Sequence, residues 1–157
     1  MRLEFVKAFV EITQSIFVEV LGTEVETGKL SLESSPRVEG SVVTLIELRG
    51  DVLGRILLQM DMPTAVAIAG QMVGSREPEA SLVTSCIGEL AGMAIGRTIS
   101  WINDKAYSIQ MNPPVVTINL QPQPFPEGVE TLVFPLKTVC GDVILNASFI
   151  DLNYLSS

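Results

Sequence analysis

The residues best suited to do chemistry lie in one segment, between residues 81 and 103. Ser85, Glu89, Gly92 and Gly96 follow one another at intervals of three or four residues, which places them on one face of an α-helix. Apolar residues fill the complementary positions and predict a buried opposite face: Val83, Ile87, Leu90, Ala91, Ala94, Ile95 and Ile99. Glu89 is then a lone carboxylate on a face of small residues, where it can anchor a partner protein.

The glycines of this predicted helix, Ser81–Asn103, need a physical reason. Gly88, Gly92 and Gly96 each cost a helix interior about 1 kcal/mol relative to alanine. One interpretation is close packing of the helix against another element, which is the more frequent reason for glycine in a helix. The other is a docking face for a partner, with Glu89 at its centre. The sequence leaves both interpretations open.

Other chemistry is limited by what the chain lacks. It contains no histidine, which removes the commonest general base and most zinc and iron sites. Its two cysteines, Cys86 and Cys140, cannot form a four-ligand metal site and are expected to be small core residues. Glu11 and Gln14 form a carboxylate–amide pair in the first helix, and a solvated helix face explains them adequately. We therefore expect no metal or other cofactor held by this chain.

The composition describes a folded chain that we expect to form a single domain over residues 1–157. Hydrophobic residues make up 47% and charged residues 18% of its 157 residues, so disorder is not expected. The net charge is −8 with scattered basic residues, which argues against nucleic-acid binding. No uninterrupted apolar run of about 18 residues predicts a membrane span, and the N-terminus does not resemble a signal peptide. These patterns predict a cytoplasmic location.

Two predicted hairpins lie in the sequence before and after the predicted helices Thr64–Val73 and Ser81–Asn103. The first pairs Ser41–Arg49 with Val52–Met60 across Gly50-Asp51, and the second pairs Thr131–Val139 with Val143–Leu152 across Cys140-Gly141-Asp142. Each repeats Gly-Asp-Val at its turn, which is weak evidence of a pseudo-twofold repeat. The other predicted elements are a helix over 2–21 capped by Gly22, a weak strand region Val25–Ser34, a buried helix Thr64–Val73 ending at Gly74, a polar connection Asp104–Gln110, a strand Val115–Leu120 and a loop Gln121–Gly128.

This order predicts an α+β fold. Its antiparallel β-sheet is built from the two hairpin repeats, and long amphipathic helices pack on one face. Gly54 inside the second strand predicts either a bulge or a close approach of another group.

Taken together, these segments resemble the CheX domain of the CheC/CheX/FliY phosphatases of bacterial chemotaxis. The resemblance rests on the amphipathic first helix Phe5–Leu21, the hairpin LRGDVLGRILLQM, the Asp61-Met62-Pro63 helix start, Ser85-x3-Glu89 and the pair Pro113-Pro114. It covers nearly the whole chain. The order and spacing of these segments carry it, since no single motif is strong.

The resemblance implies that the central helix docks on a phosphorylated CheY-type receiver domain. In that family a glutamate anchors to the receiver's active-site lysine, and an asparagine three residues later orients the attacking water. Glu89 matches the glutamate and Ser85 the position one turn earlier, but Gly92 stands where the asparagine is expected. The phosphoryl group and its Mg²⁺ belong to the receiver, so the phosphatase supplies positioning alone.

Two main hypotheses follow. The first is a CheX-like protein that binds phosphorylated CheY-type receivers and promotes their dephosphorylation, with Ser85, Glu89 and Gly96 as the binding face. The alternative is a noncatalytic receiver-binding or dimeric module of the same fold, which Gly92 favours. A purely structural dimer is a third possibility. We also predict a homodimer, because apolar strands such as Val143–Ile150 would leave a reactive edge if they were unpaired.

Overall fold

The structure is a computed structural model that describes residues 3–34, 38–119 and 129–155. Its helices are α1 (Leu3–Leu21), α2 (Met62–Val73), α3 (Ala80–Asn103) and the short α4 (Leu152–Leu155). Its strands are β1 (Glu26–Thr27), β2 (Ser31–Glu33), β3 (Val42–Gly50), β4 (Val52–Met60), β5 (Ile109–Met111), β6 (Val115–Ile118), β7 (Thr131–Thr138) and β8 (Gly141–Asp151). The predicted loop Gln121–Gly128 lies outside the described residues.

The eight strands form one antiparallel sheet, and its two hairpins lie side by side. The order is β1-β7-β8-β4-β3-β5, with β2 also pairing β7 and β6 also pairing β3. The second strands of the two hairpins, β4 and β8, pair with each other over most of their length. This arrangement confirms the predicted α+β fold. The second turn differs from the prediction: Gly141 and Asp142 pair with Thr138 and Lys137 as the start of β8, so the turn lies at Val139-Cys140 and not at Cys140-Gly141-Asp142.

The long helices α1 and α3 pack on one face of this sheet. Phe9 of α1 meets Phe134 and Phe149 edge to face, at centroid distances of 5.5 and 6.0 Å. The buried side of α3, including Ile87, Leu90, Ala94 and Ile95, joins the same core cluster. The residues predicted to form the buried face of α3 are therefore buried.

Local sequence signals set the helix ends as predicted. Gly22 has a φ of 70° and its N–H bonds to the carbonyl of Val18, which is a left-handed C-cap. Gly74 adopts the same conformation after α2 and bonds to the carbonyl of Gly70. These two glycines fix where α1 and α2 stop.

Three further expectations were wrong. The helix α2 is buried on one side only, because Val73 is 45% exposed and Ala67 is also exposed. The connection Asp104–Gln110 contains the start of strand β5, which pairs with β3. Most consequentially, Val143–Ile150 is not an edge: β8 pairs with β7 on one side and β4 on the other. That strand therefore gives no reason to expect a homodimer.

By length and composition α3 could cross a membrane, with 24 residues and a mean hydropathy of 1.2 in its most apolar window. Half of that window is buried inside the fold. Packing against the sheet and the neighbouring helices accounts for its apolar sequence, since buried core helices show the same hydropathy.

Gly54 illustrates how tightly β4 fits its neighbours. Its register with Leu48 and Phe149 is unbroken, so there is no bulge. A Cβ on Gly54 would lie 2.9 Å from the carbonyl oxygen of Ser148 and 3.0 Å from a ring carbon of Phe149. The close-approach interpretation of this glycine is therefore the correct one.

We expect Gly54→Ala to lower the free energy of unfolding by about 1–3 kcal/mol, the usual cost of overpacking. Chemical denaturation measures this loss. Leu53→Ala, at the exposed neighbouring position, is the control and should cost clearly less. Equal losses for the two variants would show that the contact at Gly54 relaxes freely.

Asp61 caps the start of α2. Its carboxylate accepts a 2.8 Å hydrogen bond from the backbone N–H of Thr64. Hydrogen bonds from Thr64, the hydroxyl first and then the backbone N–H, lower the pKa of Asp61 from its ordinary 3.8. Because the folded-state pKa is the lower one, the cap stabilises the protein above the unfolded pKa and the benefit is lost as the pH falls through the folded value.

We expect Asp61→Ala to lower the thermal unfolding midpoint at neutral pH, because α2 loses its cap. The difference from wild type should shrink as the pH falls below 3.8, the ordinary pKa of the group. Calorimetry over this pH range measures it. Asp61→Asn keeps a capping oxygen and should lose less stability, and an Ala effect independent of pH would contradict the account.

Candidate functional site

The helix α3 presents a narrow solvent-exposed stripe. Its apolar residues face α1, α2 and the sheet, so only one side reaches solvent. Ser85, Glu89, Met93 and Arg97 are exposed along this stripe, one turn apart. The sequence-predicted exposure of Ser85 and Glu89 is therefore confirmed, whereas Gly92, beside the stripe, is half-buried.

Beside the stripe runs an open groove between α3 and the segment that enters β6. Its lining residues come from both elements: Thr84, Ser85, Gly88, Glu89, Gly92, Pro114 and Val116. The groove brings together three of the four predicted site residues, Ser85, Glu89 and Gly92. The fourth, Gly96, does not line it. We call this surface the α3 groove.

The glycines of α3 lie beside the segment that contains β5 and β6. An added Cβ on Gly88 would lie 3.4 Å from Val116 Cγ2, and one on Gly92 would lie 3.4 Å from Pro114 Cγ. An added Cβ on Gly96 would lie 3.8 Å from Met111 Cε. These are ordinary van der Waals separations, so close packing does not by itself require glycine at these positions, and Gly88 and Gly92 border open space on the solvent side.

Glu89 is the charged group of the α3 groove. Its carboxylate is exposed and makes no hydrogen bond or salt bridge with any residue that the structure describes. The next charge along the helix, Arg97, bonds instead to Glu19 of α1 at 3.3 Å. An uncommitted carboxylate of this kind is available to a cationic group from outside the chain.

The groove hydroxyls are committed to the helix backbone. The Oγ of Ser85 and the Oγ1 of Thr84 each donate to the carbonyl of Ser81, both at 3.0 Å. Such bonds are common for serine and threonine within helices. Each hydroxyl keeps only acceptor capacity for a ligand.

No amide side chain lines the α3 groove in the described part of the chain. Asn103 bonds to the backbone of Ile109 in both directions, at 3.1 and 2.9 Å. Gln14 donates to the carbonyl of Val25 at 2.6 Å. Asn112 lines a different groove, over the sheet face opposite the helices, together with Glu47 and Arg55. None of these three can replace a side chain at Gly92.

The remaining candidates have structural explanations. Glu11 is exposed on α1, and its neighbour Gln14 is the residue bonded to Val25, so the pair does not form a second site. Burial first, and then the charge of Glu89, raises the pKa of the Cys86 thiol, which keeps it protonated and unreactive. Within the described ranges, no cluster of acidic or cysteine side chains could hold a metal ion.

Sequence reasoning found the helix face but missed the second wall of the groove. Pro114 and Val116 are more than twenty residues beyond Glu89 in the chain, and the strand they enter pairs with β3. The only available signal was the pair Pro113-Pro114, which marks where an extended segment begins.

Fold and site together define a class of protein: an α+β domain that displays one exposed helix face, with a carboxylate at Glu89, beside a groove. The family model described as chemotaxis phosphatase CheX matches residues 42–137. This match covers more than half of the chain, and the chain therefore belongs to the CheX family. No curated protein matches it significantly.

Solved structures agree on the fold. A CheC-like superfamily protein from Shewanella sp. PV-4 is 21% identical with a TM-score of 0.81, over 96% of this chain and 99% of that one. The CheX–CheY–BeF3–Mg²⁺ complex from Borrelia burgdorferi contains a match at 20% identity and a TM-score of 0.81, over 94% and 99%. FliY from Thermotoga maritima matches at 18% identity and 0.67, over 99% and 94%.

Proposed function

We propose that this chain binds phosphorylated CheY-type receiver domains through the exposed stripe and groove of α3. The observation that carries the proposal is the carboxylate of Glu89, which is exposed, uncommitted and placed at the centre of an open helix face. The Borrelia burgdorferi relative, solved as a CheX–CheY–BeF3–Mg²⁺ complex, supports a receiver as the partner. Glu89 would pair with a cationic side chain of that receiver, and Ser85 would contact it one turn earlier.

The chemistry of the receiver limits what this chain needs to supply. The phosphoryl group and its Mg²⁺ belong to the receiver, so a phosphatase of this kind contributes positioning and electrostatics. Glu89 can position the receiver, but the groove has no amide at Gly92 to hold a water. This favours the alternative hypothesis, a noncatalytic receiver-binding module, over a phosphatase.

Chemical-shift mapping by NMR tests the location of the interface. Adding a beryllofluoride-loaded receiver should shift the backbone signals of Ser85, Glu89, Gly92 and Val116. Strand β1, at the opposite edge of the sheet from β6, should be unaffected. Shifts centred on another surface, or no shifts with any CheY-type receiver, would overturn the proposal.

A homodimer and a cytoplasmic location stay predictions. The strand that motivated the dimer lies inside the sheet, so edge-to-edge pairing of two sheets would use an outer strand such as β2, where Leu32 is 65% exposed. Light scattering at tens of micromolar, about the range in which a modest interface forms, tests the oligomeric state.

A further inference from the structure

The carboxylate of Glu89 has apolar neighbours along α3 and across the α3 groove. Met93, one turn of α3 later, is 36% exposed, and Leu82, two turns earlier, is 39% exposed. Their spacing of four and seven residues from Glu89 places both on the exposed stripe. Across the groove, Pro114 and Val116 form the second wall. The surface around Glu89 therefore offers apolar contact on two sides.

Charge is scarce on this surface. The only charged residues of α3 are Glu89 and Arg97, and Arg97 is bonded to Glu19 of α1. Residues 106–119, which contain β5 and β6, include no charged residue. A single ion pair at a protein surface contributes little to affinity by itself, because solvent and salt screen it. Receiver docking therefore needs a contact other than the charge of Glu89.

Methionine is well suited to contact a side chain of another protein. Its unbranched thioether chain is flexible and polarisable, so it adapts to the shape of an apolar partner. Single exposed apolar side chains are common and need no function, but Leu82 and Met93 lie on one stripe with Glu89 and continue the interface of the proposed function. Burial of apolar area is the dominant favourable term in most protein association, and Met93 can supply it beside Glu89.

Resting on the proposed function, we infer that Met93 contacts an apolar side chain which the receiver presents beside the cation paired with Glu89. Residues four apart on a helix have Cβ atoms about 5–6 Å apart, so one receiver surface can reach both side chains. The partner that this surface fits therefore carries a cationic and an apolar side chain as close neighbours. A receiver with a polar side chain at the second position gains less affinity from Met93.

Met93→Gln and Met93→Leu test this contact, because both keep a side chain of similar size and good helix propensity while only leucine stays apolar. Isothermal titration calorimetry with a beryllofluoride-loaded CheY-type receiver measures the affinity. Met93→Gln should weaken binding by about fivefold or more, because an amide then lies in an apolar contact. Met93→Leu should stay within about twofold of wild type. Leu53→Gln is the matched control on the sheet face opposite the helices, where Leu53 is 44% exposed, and should bind like wild type.

The outcomes separate this inference from the proposed function. If wild type binds and Glu89→Ala weakens binding while Met93→Gln binds like wild type, the inference is wrong and the proposed function stands. Equal losses for Met93→Gln and Met93→Leu would also overturn the inference, because apolar character would then not be what the receiver contacts. Absence of binding by wild type would overturn the proposed function and this inference together.

Discussion

Gly92→Asn is expected to accelerate loss of phosphate from a bound receiver by on the order of 10²-fold relative to wild type, the scale of one positioned polar group. Position 92 is one turn from Glu89, on the same side of α3. A side chain there would project from the wall formed with Pro114 into the α3 groove. Its amide would stand where the structure offers no polar group.

The substitution should not disturb the fold. A Cβ at position 92 would lie 3.4 Å from Pro114 Cγ, an ordinary van der Waals contact, and asparagine is slightly better than glycine in a helix. Gly92→Ala is the matched control, because it adds the Cβ without the amide and should give no acceleration. A wild type that is already fast, or a Gly92→Ala gain equal to that of Gly92→Asn, would show that the amide is not the missing group.

Glu89→Ala is expected to weaken binding to a phosphorylated receiver by about 30-fold or more, because removing one partner of a charge pair that becomes desolvated costs about 2 kcal/mol or more. The carboxylate forms no bond within the described part of the protein, so its removal should leave the free energy of unfolding unchanged. This separation of binding from stability distinguishes Glu89 from a packing residue.

Isothermal titration calorimetry measures the affinity, and chemical denaturation measures the stability. Glu89→Gln keeps the shape of the side chain and removes the charge, so it should lose nearly as much affinity as Glu89→Ala. Glu26→Gln on β1 should bind like wild type. If Glu89→Ala and wild type bind equally well, α3 is a packing element and its glycines serve close contact alone.

The local elements of this fold were largely predictable from sequence. Helical spacing identified α1 and α3, and the glycines at 22 and 74 marked helix ends. The alternating strands identified both hairpins, but Gly-Asp marked the turn correctly only in the first, because Gly141 and Asp142 already belong to β8. These signals act over a few residues, so they are visible in the chain itself. The short strand β5 was missed because three residues in a polar stretch give almost no periodicity.

What failed was the relation between distant segments. The order of hairpins in the sheet places β8 at the centre, and nothing in its alternating pattern distinguishes a central strand from an edge. Likewise, only the α3 wall of the α3 groove could be predicted from the sequence. Glu89 and Gly92 follow from helix geometry, but the wall of Pro114 and Val116 depends on how β6 pairs with β3.

The affinity of the wild-type protein for one receiver in its phosphorylated and unphosphorylated forms tests the central claim most directly. Docking on the phosphorylated active site requires the phosphorylated form to bind at least about tenfold more tightly, a difference of about 1.4 kcal/mol. Equal affinity for the two forms, or no binding to either form of any CheY-type receiver, would contradict the account.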